Sequence, residues 1–217
     1  MARVSIFIGG IQPLPKSGLP TGMYKSPVTG VVELGYDGFD GDQQADRRVH
    51  GGPEKAVHLY PAAHYERLAA RFPEVATKLV VGSLGENLST ADLDERDVRV
   101  GDIWALGSTL LQACQPRKPC WKIDERFASE GMTVYIEETL MTGWYWRVIR
   151  PGPVGLGDTL DLLHKAPNAP TLHEALLLWH AQRPSLNELE QLAQTPGIAN
   201  SWKDKIDQRV AYLKTIV

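Results

Sequence analysis

Cysteine is scarce in this sequence: Cys114 and Cys120 are the only two among 217 residues. Two thiols six positions apart exclude a disulfide-stapled scaffold and an iron–sulfur ligand set, which need more sulfurs at defined spacings. Also missing is any apolar run long enough to cross a bilayer, so no membrane association is expected. No long basic block occurs and the net charge is −3, which removes the electrostatic footprint of a nucleic-acid binder. Flavin, dinucleotide and haem fingerprints are absent as well. The opening stretch "MARVSIFIGGIQPLP" breaks its β-branched run at Gly9 and Gly10, too soon for a secretion signal, and reads as a first strand. The thiols are therefore expected in a reducing, cytoplasmic setting, where a bridge between Cys114 and Cys120 does not form.

What is present is a long series of short apolar runs punctuated by glycine and proline. "RVSIFI", "GVVEL", "KAVHLY", "KLVV", "DVRV", "TLLQAC", "MTVYI", "WYWRVI" and "TLDLL" fill residues 1–165. This pattern predicts a mainly β domain, a barrel or sandwich. Gly-Asp pairs at 101–102 and 157–158 predict hairpin turns. One helix interrupts the strands: Pro61 suits a first helical turn, Tyr65, Leu68, Ala69 and Phe72 recur at helical spacing, and Pro73 ends the segment. Past the joint "HKAPNAP" the pattern becomes helical. Thr171 with Glu174 and Ser185 with Glu188 both fit capping boxes, and a third stripe carries Trp202, Ile206, Val210, Leu213 and Val217. Residues 170–217 are thus expected to form a three-helix unit. Over residues 167–217 five basic and five acidic residues cancel, which points to packing or homodimer formation rather than DNA reading, and away from any part in the chemistry.

Three stretches carry candidate chemistry. In "ACQPRKPCWKID", Cys120 sits between two prolines' worth of stiffened loop and the cations Arg117, Lys118 and Lys122. Nearby cations favour the thiolate, the nucleophilic and metal-binding form, although a plain spacer role also fits. Cys114, at the end of an apolar strand, reads as core filler. In "DRRVHGGPEKAVHLY", Gly51 and Gly52 let successive amides face an anion, His50 adds a hydrogen bond and Lys55 a charge; His50 could equally be a turn residue. The aspartates before it miss the offsets of a calcium loop. His58 and His64 suggest packing. In "GSLGENLST", Asn87 offers donors and an acceptor to a flat heterocycle, or else caps its turn.

Taken in order, "GDQQADRRVHGGPEKAVHLY", "GENLST", "VGDIWALGSTLLQACQPRKPCWKID" and "GWYWRVIRPGPVGLGDTL" resemble the MOSC (molybdenum cofactor sulfurase C-terminal) domain, on the YiiM-like branch whose barrel precedes a three-alpha unit. The resemblance covers nearly the whole chain. It implies a twisted β-barrel, with an inserted helix, that binds the pyranopterin-dithiolene molybdenum cofactor (Mo-molybdopterin) with Cys120 as protein ligand to the metal. His50, Gly51, Gly52, Lys55, Arg117 and Lys122 would then bind the cofactor through its phosphate or its pterin, and Asn87 would meet the pterin edge. It further implies reduction of N-hydroxylated compounds such as hydroxylaminopurines and amidoximes, a detoxification of base analogues. Electrons would come from an external flavin or iron–sulfur reductase. A cofactor carrier, or a sulfur-transfer protein using a Cys120 persulfide, is the alternative.

Overall fold

Most of the short apolar runs pair into one nine-stranded sheet. In the computed structural model, which describes residues 1–215, its strands lie in the order Ala2–Arg3, Thr159–His164, Ile103–Leu106, Thr109–Pro116, Trp144–Arg150, Val57–Leu59, Leu88–Ser89, Ser5–Ile8 and Ser26–Pro27. Neighbours run antiparallel except where Val57–Leu59 meets Leu88–Ser89. Ala2–Arg3 closes one edge on Thr159–His164, while Ser5–Ile8 pairs near the other edge with Leu88–Ser89. Only Val4 separates those two strands, so a single stretch of chain reaches both ends of the sheet and the sheet must curl into a barrel. A three-stranded sheet (Gly152–Gly155, Val31–Gly35, Gly38–Phe39) and a ribbon (Gln12–Pro13, Pro20–Thr21) complete the β structure.

Alternation along Trp144–Arg150 divides inside from site. Trp144 and Trp146 share one face and meet edge to face at 5.8 Å, with Trp104 against Trp146 at 6.2 Å. Tyr145 points the other way, where it remains buried and faces the candidate pocket. Burial of three indoles is worth several kcal/mol by area, at roughly 25 cal/mol per Å².

The helices differ from expectation in number. α1 (Arg47–His50) and α2 (Ala63–Arg71) precede α3 (Lys122–Phe127) and α4 (Met132–Glu138). A single inserted helix was expected, and "MTVYI" was read as a strand. Its β-branched composition misleads: Met132 and Ile136 are buried four residues apart, and the Asp124 carboxylate accepts from Gly131 N, Thr133 N and Thr133 Oγ1, which starts a helix. "KLVV" and "DVRV" form turns, not strands; Pro73–Lys78 is a 3₁₀ helix and Arg99 makes an isolated bridge to Thr171. Gly157 and Asp158 turn the chain between two different sheets, so that turn closes no hairpin, whereas Gly107 turns the Ile103–Leu106 and Thr109–Pro116 hairpin.

α5 (Leu172–His180), α6 (Leu186–Ala193) and α7 (Asn200–Thr215) follow. The Thr171–Glu174 capping box forms in full, while at Ser185 only the hydroxyl half forms among the described residues. Val217 lies outside them. Leu172, Ala175, Leu189, Trp202, Ile206 and Val210 join the same apolar core as the barrel tryptophans. Glu54 ties the two further: its carboxylate accepts from Asn200 N at 2.7 Å, at the start of α7, and from Arg147 at 2.8 Å.

Gly143 concentrates several of these constraints. Its φ of 65° is left-handed, and a Cβ there would lie 2.3 Å from Leu59 O. Its N–H donates to buried Glu95 at 2.7 Å, Glu95 accepts from or donates to His64 Nε2 at 2.8 Å, and its carbonyl accepts from Arg117 N at 3.0 Å. Gly143→Ala is expected to destabilise the fold by about 2 kcal/mol or more, from the unfavourable φ and the backbone clash together. Denaturant unfolding checks this, and an unchanged midpoint would contradict it.

Candidate functional site

The strand Thr109–Pro116 runs straight into the loop Arg117–Trp121, and the loop returns as α3. Thr133 Oγ1 and Ile123 N both bond the Cys120 carbonyl, at 3.1 and 2.9 Å, which fixes the backbone beneath the thiol. Cys120 is a free, partly exposed thiol at the boundary of two concavities. The inner recess has a volume of about 70 Å³ and the outer cleft about 620 Å³. His50, Lys55, Arg117, Cys120 and Tyr145 line both. Asn87 and Lys122 line the inner recess, so three stretches up to seventy residues apart in sequence meet at one place. Gly51 and Gly52 lie in the chain between His50 and Lys55 but line neither concavity.

The recess is electropositive. Lys25, Lys55, Arg117 and Lys122 face it, against the single carboxylate of Asp42, and that carboxylate is already held by Lys25 at 2.6 Å. Arg117 is only 5% exposed. Among the described residues no carboxylate lies in ion-pair range of Arg117, Lys55, Lys118, Lys122 or Lys205. Instead Lys122 Nζ donates to Pro20 O at 2.7 Å and Lys55 Nζ to Val49 O at 2.6 Å. Arg117 is buried and Lys55 and Lys122 are half-buried, and a buried cation without counter-charge is destabilising unless an anion pairs with it.

The titratable groups register this field. Burial first, and then the Arg117, Lys55 and Lys122 charges, pull His50 down to about 4, so at neutral pH its imidazole is uncharged. Burial first, and then the Arg117 and Lys25 charges, push His58 well below its ordinary value, and its Nε2 has no hydrogen-bond partner among the described residues. It lines the inner recess, so its position is not merely one of packing. Burial lowers Lys25 despite its partner Asp42, and raises Tyr145. Cys114 is pushed up to about 12 by burial, and its Sγ donates to Glu54 O at 3.1 Å.

Asn87 is spent on structure. Its Oδ1 accepts from His58 N at 3.1 Å, while Nδ2 donates to Asp42 Oδ2 at 2.9 Å and to Phe7 O at 3.3 Å. Both donors are thus committed, and the residue holds Asp42 against Lys25. Sequence reasoning missed Lys25 and Tyr145, which sit in runs that read as loop or strand, and took His58 for packing; the alternation of Tyr145 against Trp144 and Trp146 is the one signal that could have placed it on another face. Gln43 and Gln44 also line the recess. The helical unit enters too: Leu176, Trp179, His180, Trp202 and Lys205 wall the outer cleft, contrary to the expectation that residues 170–217 stand apart from the chemistry.

These environments predict distinct behaviour. Iodoacetamide at neutral pH should label Cys120 and leave Cys114 untouched in the folded protein, because one thiol is exposed and the other is enclosed and protonated. Peptide mapping reads this; equal labelling would contradict it. The His50 ring, followed by NMR, should titrate near pH 4, and Lys55→Gln should raise that midpoint by removing a cation. Because the folded value is depressed, His50 favours the folded state fully above about pH 6.5 and loses that contribution as the pH falls toward 4.

Comparison with known proteins agrees with this architecture. The MOSC domain family model matches residues 46–161. Protein YiiM of Escherichia coli (strain K12) is 35% identical over 206 residues, 95% of this chain and 91% of that protein. The crystal structure of YiiM from Escherichia coli superposes with a TM-score of 0.82 at 30% identity, over 97% of this chain and 92% of that one. A protein of Gibberella moniliformis named "Reductase" is 34% identical over 179 residues, which are 82% of this chain and 32% of its own length. A barrel of this topology, a family match across its middle and a YiiM relative of nearly equal length together make this chain a YiiM-like member of the MOSC domain family.

Proposed function

We propose that the protein is a molybdenum-cofactor-dependent reductase of N-hydroxylated compounds, with Cys120 as the protein ligand to the metal. The observation that carries the reading is a partly exposed thiol beside a recess in which Arg117, Lys55 and Lys122 have no carboxylate partner among the described residues. The donor set fits the cofactor and fits a bare ion poorly. No three His, Cys, Asp or Glu side chains converge as a metal cage among the described residues, so a metal here must bring most of its ligands with it. A dithiolene-held molybdenum does so and accepts one further soft thiolate. Arg117, Lys55 and Lys122 suit the cofactor's phosphate. Gln43 and Gln44 offer amide edges to the pterin in place of Asn87, whose donors are committed. Membership of the MOSC family and the fungal relative named a reductase support electron chemistry.

When bound, the molybdenum centre supplies two-electron oxygen removal, in which R–NHOH, two electrons and two protons become R–NH₂ and water. The chain's own residues do the rest. Cys120, which lines both the recess and the outer cleft, would hold the centre. Neutral His50 lines the same recess and cleft and would offer a ring N–H or a lone pair for hydrogen bonding or proton exchange with substrate or water. Tyr145, kept protonated by burial, is a second donor on the same wall. The chain carries no redox group of its own, so electrons come from an external flavin or iron–sulfur protein, in the cytoplasm.

Holoprotein produced in a cofactor-making host should reduce benzamidoxime or hydroxylaminopurine with an artificial electron donor. Cys120→Ser should lower turnover by at least about a hundredfold, since loss of even an outer-shell partner of a metal site costs ten- to a hundredfold. Cys114→Ser should retain turnover and lose stability. Molybdenum-loaded wild-type protein without turnover would favour the carrier or sulfur-transfer role, and full turnover in Cys120→Ser would overturn the assignment of the thiol.

A further inference from the structure

Assigning Arg117, Lys55 and Lys122 to the cofactor leaves charge unused. Lys118 and Lys205 are exposed on the outer cleft, one beside Arg117 and the other on α7, and neither has an acidic partner among the described residues. Lys205 is near enough to Lys55 to be, after burial, the largest influence lowering that lysine. The same cleft presents three indoles, Trp121 before α3, Trp179 on α5 and Trp202 on α7. Trp179 is braced by Arg209, whose guanidinium carbon lies 5.1 Å from the ring centroid. At about 620 Å³ the cleft has room for a further molecule beside Cys120.

Indole walls receive flat aromatic rings, and any nucleobase presents such a face. Lysines without partners receive phosphate. A small neutral amidoxime would use the first feature and leave the second idle, at the cost of crowding like charges. From this pairing we infer that the outer cleft takes its N-hydroxylated base as a nucleotide, with the base against the tryptophans and the phosphate at Lys118 and Lys205. This rests on the reductase reading and deepens it: the helical unit becomes part of the substrate site, since two of the indoles and one of the lysines belong to it. Glu54, which bonds the start of α7 and precedes Lys55 in the chain, holds that wall in register with the cofactor side.

The test compares adenosine monophosphate with adenosine, neither of which can be reduced, by quenching of tryptophan fluorescence in the holoprotein. The monophosphate should bind about three- to tenfold more tightly at low salt, as two exposed charge contacts allow, and the margin should shrink as salt rises. Lys118→Gln combined with Lys205→Gln should erase the margin while molybdenum content and the thermal midpoint are retained. Equal binding of the two probes would overturn the inference and leave the reductase reading standing, because benzamidoxime turnover tests that reading separately. A margin that survives the double substitution would overturn the assignment to these lysines. Mass spectrometry of the released pterin supplies the last arm: a cofactor that carries its own nucleotide would overturn the inference, since the cleft would then hold the cofactor rather than the substrate.

Discussion

A buried guanidinium without a carboxylate partner is the constraint on which the rest of this molecule depends. Arg117 is brought inside by its backbone, which is locked to Gly143, and Gly143 is locked in turn to Glu95 and His64. None of those groups neutralises it. Lys55 and Lys122 add to the same field while bonding only to carbonyls. Enclosing an unpaired charge such as that of Arg117 is costly unless an anion enters, which is the physical ground for proposing a ligand that supplies negative charge. Burial first, and then this field, holds His50 down at about 4.

The barrel explains how this charge can be maintained. Curling of the sheet through the Ala2–Ile8 stretch brings the segments before Val57, before Leu88 and after Pro116 to one rim, while the tryptophans pack against one another in the core. Asn87 and Asp42 then neutralise Lys25 alone, which leaves the remaining cations facing the recess. The helices are not an appendage to this arrangement. They share the barrel's core and wall the cleft, and Glu54 couples them to the loop that carries His50 and Lys55.

Much of this was legible in the sequence, and the failures have physical causes. Cys120, His50, Lys55, Asn87, Arg117 and Lys122 stood out because glycines, prolines and clustered cations on loops leave a local trace. Lys25 left none: it lies in an unpatterned loop and matters only through its contact with Asp42. Trp179 and Trp202 read as packing residues because a helical stripe records which face is covered and not which edge remains open to a cleft. "MTVYI" read as a strand because β-branched composition was weighed without the Asp124 cap that decides it. Asn87 lines the recess, yet its hydrogen bonds run inward, which no spacing could reveal.

The central claim is that the Cys120 thiolate completes a molybdenum site at the lip of the cationic recess. X-ray absorption at the molybdenum edge tests it most directly, on holoprotein and on Cys120→Ser. The account predicts bound molybdenum in both, with one sulfur neighbour fewer in the substituted protein. Molybdenum absent from the wild-type holoprotein, or a sulfur count that Cys120→Ser leaves unchanged, would contradict it.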